Sequence, residues 1–146
     1  MSVTETAAAE RTDSRPAWPH LFGIDGHGPF VLGGRCAACG GLALGIRDIC
    51  PLCHAVGRMS EERIGRRGSL YSATVVHQAP RGFSAPYRIG YVDVEDGVRV
   101  FAHIDVGPDA AQIGDSVSLT LASVKSGEDG ASLVGPVYVR DVRPSR

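Results

Sequence analysis

From residue 69 onward the chain alternates. Val98, Val100, Ala102 and Ile104 fall on one parity, and Arg99, Phe101, His103 and Asp105 on the other. This is the two-residue period of a half-buried strand. The same period recurs at Val117, Leu119 and Leu121. Leu70 to His77 is rich in β-branched and aromatic residues, and Tyr87 to Val94 places Ile89, Tyr91 and Asp93 on one face. Asp96-Gly97 is the strongest hairpin turn signal in the chain. Ser126 to Gly130 reads as a polar turn before a last strand from Leu133 to Val142. About five strands of Greek-key-like spacing suit a small closed barrel. An OB-fold is the commonest such barrel, and periodicity alone does not separate it from an SH3-like one.

Upstream the pattern changes. Residues 1–17 are polar and alanine-rich and predict a tail. Trp18, Leu21, Phe22 and Ile24, interrupted by Pro19 and Gly23, predict a helical turn packed on the body or on a partner. Phe30 to Leu32 predicts a short strand, and Leu42 to Ile49 another. Val56 to Gly65 has mixed charge and leads to Gly65-Arg66-Arg67-Gly68, a plausible joint between modules. The expected organisation is a tail with a short helical segment over 1–29, a zinc ribbon over 30–65 and a β-barrel over 66–146. The expected fold class is mainly β: a rubredoxin-like zinc ribbon followed by a five-stranded barrel, for which an OB-fold is the commonest form.

The ribbon is expected because the four cysteines stand in two close pairs, Cys36-Ala-Ala-Cys39 and Cys50-Pro-Leu-Cys53, ten residues apart. Two such knuckles close a tetrahedral Zn2+ site of four thiolates. Disulfides would suit a secreted chain, but residues 1–9 lack the basic and apolar regions of a signal peptide. A thioredoxin-type motif should sit in a βαβ pattern, and none follows. Cys50 to His54 also spells a c-type haem attachment, which would leave Cys36 and Cys39 unexplained. Four thiolates leave no open coordination position, so the zinc is expected to be structural. His54 stands where a glycine would more easily let amides reach the sulfurs; it is an outer-shell donor or a solvated turn residue.

Composition narrows the function. Net charge is −1, and residues 66–146 carry 9 basic and 9 acidic groups. No segment has the basic excess of a nucleic-acid or anionic-membrane binder. No apolar run has the length of a membrane span, and a thiolate site fits a reducing, cytoplasmic setting. Glu61, Glu62, His77, Asp93, His103 and Asp105 offer acid–base groups, but no pair has an assignable geometry.

The order of features resembles a known family. Its carriers are Leu32-Gly33-Gly34-Arg35-Cys36-Ala37-Ala38-Cys39-Gly40, then Cys50-Pro51-Leu52-Cys53, then Gly68 to Val76, Gly82 to Tyr87, Gly90 to Val94 and Gly97 to Phe101. Over about residues 30–142 the chain resembles zinc-ribbon plus OB-fold proteins of the DUF35 type, which accompany thiolase-like acyl-CoA enzymes. The resemblance implies a thiolase-fold partner in a hetero-oligomer and a CoA thioester as ligand. It also implies a non-catalytic, accessory role in assembly and acyl-CoA binding, with the chemistry on the partner. Among such proteins the chain looks most like the small subunits of thiolase-type pairs. Claisen chemistry needs a nucleophilic cysteine, and all thiols here are committed to zinc. Loop residues Arg81, Phe83 and Tyr87 are the expected substrate or partner contacts; alternatively Phe83 plugs the chain's own barrel end. The other function considered is a single-stranded nucleic-acid-binding OB module, for which the aromatics argue and the balanced charge does not.

Overall fold

The computed structural model describes residues 15–18 and 20–141, so most of the expected tail lies outside the described residues. The described chain is β throughout, with no helix. Its ten strands are β1 Arg15–Pro16, β2 Phe22–Asp25, β3 Gly28–Cys36, β4 Leu42–Leu44, β5 Met59–Ile64, β6 Arg67–Val76, β7 Tyr87–Val94, β8 Arg99–Ile104, β9 Ser116–Ser126 and β10 Ser132–Arg140.

The last five strands close a barrel. β6, β7 and β8 form an antiparallel meander, β10 joins β8 in parallel, and β9 pairs with both β10 and β6. Within the barrel the third strand therefore meets the fifth, and the fourth closes on the first. That is the OB arrangement, and it removes the SH3-like alternative. The predicted parity of β8 is observed: Val100, Ala102 and Ile104 are buried, while Arg99 and Phe101 face out. Asp96-Gly97 makes the β7–β8 turn, closed by Val94 N donating to Val98 O at 3.0 Å. A bulge between Leu70 and Ser72 bends β6 as barrel closure requires. The two residues of β1 add in parallel to the start of β10.

The preceding residues form a four-stranded sheet around β3. Val31 pairs with both Phe22 and Ile64, and Gly33 with both Leu44 and Glu62. β2 and β4 thus share one edge of β3, and β5 takes the other.

Three local expectations are corrected here. The apolar cluster at Phe22 and Ile24 is strand β2, not a helical turn. Gly23 disfavours helix, and the backbone groups of this segment pair with Gly28–Val31 instead. The strand expected over Leu42 to Ile49 ends at Leu44, because Gly45 turns away with φ +76°. Met59–Ile64, expected to lead away from the ribbon, is strand β5. Its charges hid it, but they serve the sheet: Arg35 on β3 donates to both carboxylate oxygens of Glu62 at 3.0 and 2.8 Å.

The two sheets share one core. Val31 and Ile64 pack with Leu70, Val92, Val117 and Tyr138 of the barrel. Gly65 is the corner between them. Its N–H donates to Asp96 Oδ1 at 3.0 Å, and its carbonyl accepts from the buried Tyr138 hydroxyl at 2.6 Å. Its φ is +80°, and a Cβ there would lie 2.8 Å from the Tyr138 oxygen, so only glycine fits. Asp25 adds a second tie. It accepts from Arg66 and from Arg63, each at 2.9 Å, and Arg66 foremost holds its carboxyl well below the ordinary range. That contribution is present at neutral pH and is lost only as acid protonates the carboxylate.

Candidate metal centre and aromatic groove

The first candidate site lies at the end of β3. The four cysteine sulfurs all fall within 4.8 Å of one another. A metal–sulfur bond of about 2.3 Å in tetrahedral geometry puts the sulfurs about 3.8 Å apart. The Cys36–Cys53 and Cys39–Cys50 separations are 3.7 and 3.8 Å. The donor set therefore fits a tetrahedral, thiophilic ion, and these cysteines can hold a metal.

The backbone prepares the site. Ala38 N donates to Cys36 Sγ at 3.3 Å, Gly41 N to Cys39 Sγ at 3.4 Å, and Leu52 N to Cys50 Sγ at 3.3 Å. Such amides stabilise thiolates. Those of Cys53 and Leu52 bring the Cys50 thiol down to about 6, and Cys36 is lowered in the same way, first by the Cys39 amide. Cys53 moves the other way. The Ala55 amide lowers it, but burial and the three neighbouring thiols outweigh that and carry it up to about 11. A cation resolves this conflict, because it favours all four thiolates at once.

The two knuckles are built alike. Gly40 N closes the first onto Cys36 O at 2.8 Å, and His54 N closes the second onto Cys50 O at 2.9 Å. Gly40 has φ +76° and His54 φ +70°. His54 thus stands in the left-handed position that glycine occupies in the first knuckle, a conformation costing a non-glycine residue about 1 kcal/mol. His54→Gly should keep the metal and raise stability by up to about 1 kcal/mol in urea titrations of the loaded protein. A loss of stability would show that the imidazole makes a contact worth more than the strain.

The second candidate site is the loop between β7 and its predecessor. Pro80 to Pro86 folds back on the outer wall of the barrel. Ser126 N on β9 donates to Gly82 O at 2.6 Å and anchors it. Phe83 and Tyr87, expected together from the sequence, are stacked with centroids 5.5 Å apart. Both also stack on His103, at 5.8 and 5.2 Å. His103 is on the outward parity of β8, so Phe83 lies on the barrel wall and is not one of the core residues. Arg81 is exposed. Lys125 Nζ sits 5.2 Å from the Phe83 centroid.

These rings border a groove of about 460 Å³, lined also by Trp18, Leu21, Ile89 and Phe101. On the other side of the loop is a cavity of about 280 Å³ that Tyr87 and His103 also line. Half-burial disfavours the charged form of the His103 imidazole and keeps it below its ordinary value. The sequence offered His103 only as one of several scattered acid–base groups and placed neither Trp18 nor Phe101 at a candidate site. The signal was the outward run Phe101, His103, because large rings on the solvent parity need a cover.

The scattered acid–base candidates do not converge. Glu62 is held by Arg35 and Asp93 by Arg99. Asp105 accepts from the amides of Ala111 and Arg140. His77 is exposed. Among the described residues no helix is long and apolar enough to cross a membrane.

Comparison with known proteins gives the same architecture. A family model described as the ChsH2 C-terminal OB-fold domain matches residues 61–122. The chain is 33% identical over 110 residues to the benzoylsuccinyl-CoA thiolase subunit BbsA of Thauera aromatica, covering 75% of this chain and 76% of that protein. It is 35% identical over 109 residues to a DUF35 domain-containing scaffold protein of Methanothermobacter thermautotrophicus, covering 72% and 82%. Among solved structures it matches the Ltp2-ChsH2(DUF35) aldolase with a TM-score of 0.59 and 26% identity, over 76% of this chain and 84% of that one.

Proposed function

The chain belongs to the DUF35 family, and from that premise we propose that it is the accessory subunit of a thiolase-type acyl-CoA complex. The partner subunit makes or breaks the C–C bond; this chain helps assemble the complex and hold the acyl-CoA. The observation that carries the reading is similarity to a thiolase subunit over three quarters of the chain, 75%. The four cysteines support it, since thiols gathered at one metal centre are not available as nucleophiles. On this reading Cys36, Cys39, Cys50 and Cys53 hold Zn2+, whose preference for thiolates and tetrahedral geometry matches the sulfur spacing. When bound, the ion supplies structural closure and no reaction chemistry. The division into a zinc ribbon over 30–65 and a barrel over 66–146 belongs to the same proposal, as does a reducing, cytoplasmic setting for the thiolates.

The loop residues receive specific roles. Arg81 meets a CoA phosphate or an acyl carboxylate, which a guanidinium binds in bidentate fashion. Phe83 and Tyr87 present an apolar wall to the acyl-CoA or the partner. Phe83→Ala and Arg81→Ala should leave the barrel folded and raise KM for acyl-CoA, or weaken association, by about three- to tenfold. Stability loss with normal activity per folded complex would make the loop purely structural.

The reading as a whole is tested by purifying the tagged chain from its native host and identifying what accompanies it by mass spectrometry. A thiolase-fold subunit in fixed ratio is expected. A chain that runs alone at every salt concentration, with its activity intact, would overturn the reading. The outward rings Tyr71, Tyr91 and Phe101 favour a second reading, a single-stranded nucleic-acid-binding OB module. A salt-dependent gel shift with an oligonucleotide distinguishes the two.

A further inference from the structure

The groove beside the loop has the chemistry of a ring-binding site. Phe83, Tyr87 and His103 lie 5.2 to 5.8 Å apart with planes within 14° to 26° of parallel. Trp18 is 6.2 Å from His103 and tilted by 33°. Phe101 completes the wall and is 55% exposed, a large apolar surface left in water. The groove volume of about 460 Å³ is in the range of small-ligand sites. Its position is also that of ligand sites on this fold, over the second and third barrel strands and under the loop joining the first two.

Charge decides what the ring must carry. Among the described residues no carboxylate lines the groove, and burial disfavours the charged form of its one imidazole, His103. A cationic ligand would therefore find no counter-charge. Two cations stand by the loop: Lys125 of β9, which lies over Phe83 and lines the cavity across the loop together with Asp105, and exposed Arg81 on the loop itself. We propose that this groove binds a flat, uncharged ring tethered to an anionic chain, with the ring stacked among Trp18, Phe83, Tyr87 and Phe101 and the negative charge near Lys125 and Arg81. The inference rests on the acyl-CoA reading above and deepens it. Two parts of an aromatic acyl-CoA have this chemistry: the adenine end, with its phosphates, and an aromatic acyl group on phosphopantetheine.

Trp18 is the single tryptophan of the chain, so its emission reports the groove directly. The zinc-loaded full chain is titrated with adenosine 3′,5′-bisphosphate and, separately, with benzoyl-4′-phosphopantetheine. A saturable change with the first identifies the nucleotide end as the occupant. A change with the second alone identifies the acyl ring. In either case Phe101→Leu, at an exposed position that tolerates it, should weaken binding about three- to tenfold, because it keeps apolar bulk and removes the ring. Lys125→Gln should weaken it about threefold and flatten its salt dependence. Saturation by neither probe, or binding indifferent to Phe101→Leu, overturns the inference. A chain that associates with and activates its partner, yet binds neither probe, overturns this inference and leaves the subunit reading standing. A chain that binds a probe but has no thiolase-fold partner does the reverse.

Discussion

Replacing Cys36 with serine is expected to release the metal and unfold the ribbon. Cys36 is fully buried at the end of β3, the strand to which β2, β4 and β5 all pair. The knuckles have almost no core of their own. From Ala37 to Arg58 the only buried residue is Cys50, while Ile46, Ile49, Leu52 and Val56 are all exposed. Apart from the short β4 pairing and a few backbone hydrogen bonds, a bound metal is what would hold such a segment. Structural zinc supplies about 10 to 16 kcal/mol in comparable small sites, far more than the amide–sulfur contacts of the two turns. The loss should travel into the barrel, because Val31 and Ile64 of the four-stranded sheet are part of the shared core. The measurements are metal content by mass spectrometry, one zinc per chain in the wild type, and hydrogen exchange across residues 31–64. A chelator should reproduce the variant. A folded, metal-free Cys36→Ser protein would sink the assignment of a structural metal.

The second large effect is on activity. The purified chain is expected to show no turnover of any acyl-CoA as thiolase, hydratase or aldolase, and turnover should appear on adding the thiolase-fold partner. The physical ground is the absence of a reactive constellation among the described residues. The four thiols are gathered in one cluster that fits a metal, and the carboxylates that sequence alone offered as acid–base groups are engaged by arginines or backbone amides. A general base needs a proton to take within hydrogen-bond reach, and an ion-paired surface carboxylate has none. Coupled assays with each component alone and with both give the answer. Turnover by the single chain, surviving repurification, would place a catalytic site on this polypeptide.

Much of the fold was legible because it is locally encoded. The alternation of Val98 to Asp105 states a strand and its buried face at once, since successive side chains point to opposite sides. The cysteine spacing states a site, because a CxxC knuckle forms within four residues and needs no distant contact. Strand β5 was not legible. Ser60, Glu61, Glu62 and Arg63 have little apolar signal, and they form a strand because β3 offers an open edge and Arg35 a counter-charge. The helical turn expected near Phe22 failed for the same reason: pairing with β3 outweighed local preference.

The chain's own order of residues thus determined the β class, the barrel strands and the four-sulfur site, each written in neighbours close along the sequence. Tertiary structure alone decided the parallel β8–β10 pair that makes the barrel an OB-fold. It alone assigned His54 its backbone role and turned Gly65 from a loose joint into a buried corner. It alone gathered Trp18, Phe83 and His103 around one groove. Those three residues come from the segment before β2, a loop and the outer face of β8. No periodicity relates them, because only barrel closure and the folding back of the loop bring them within stacking distance.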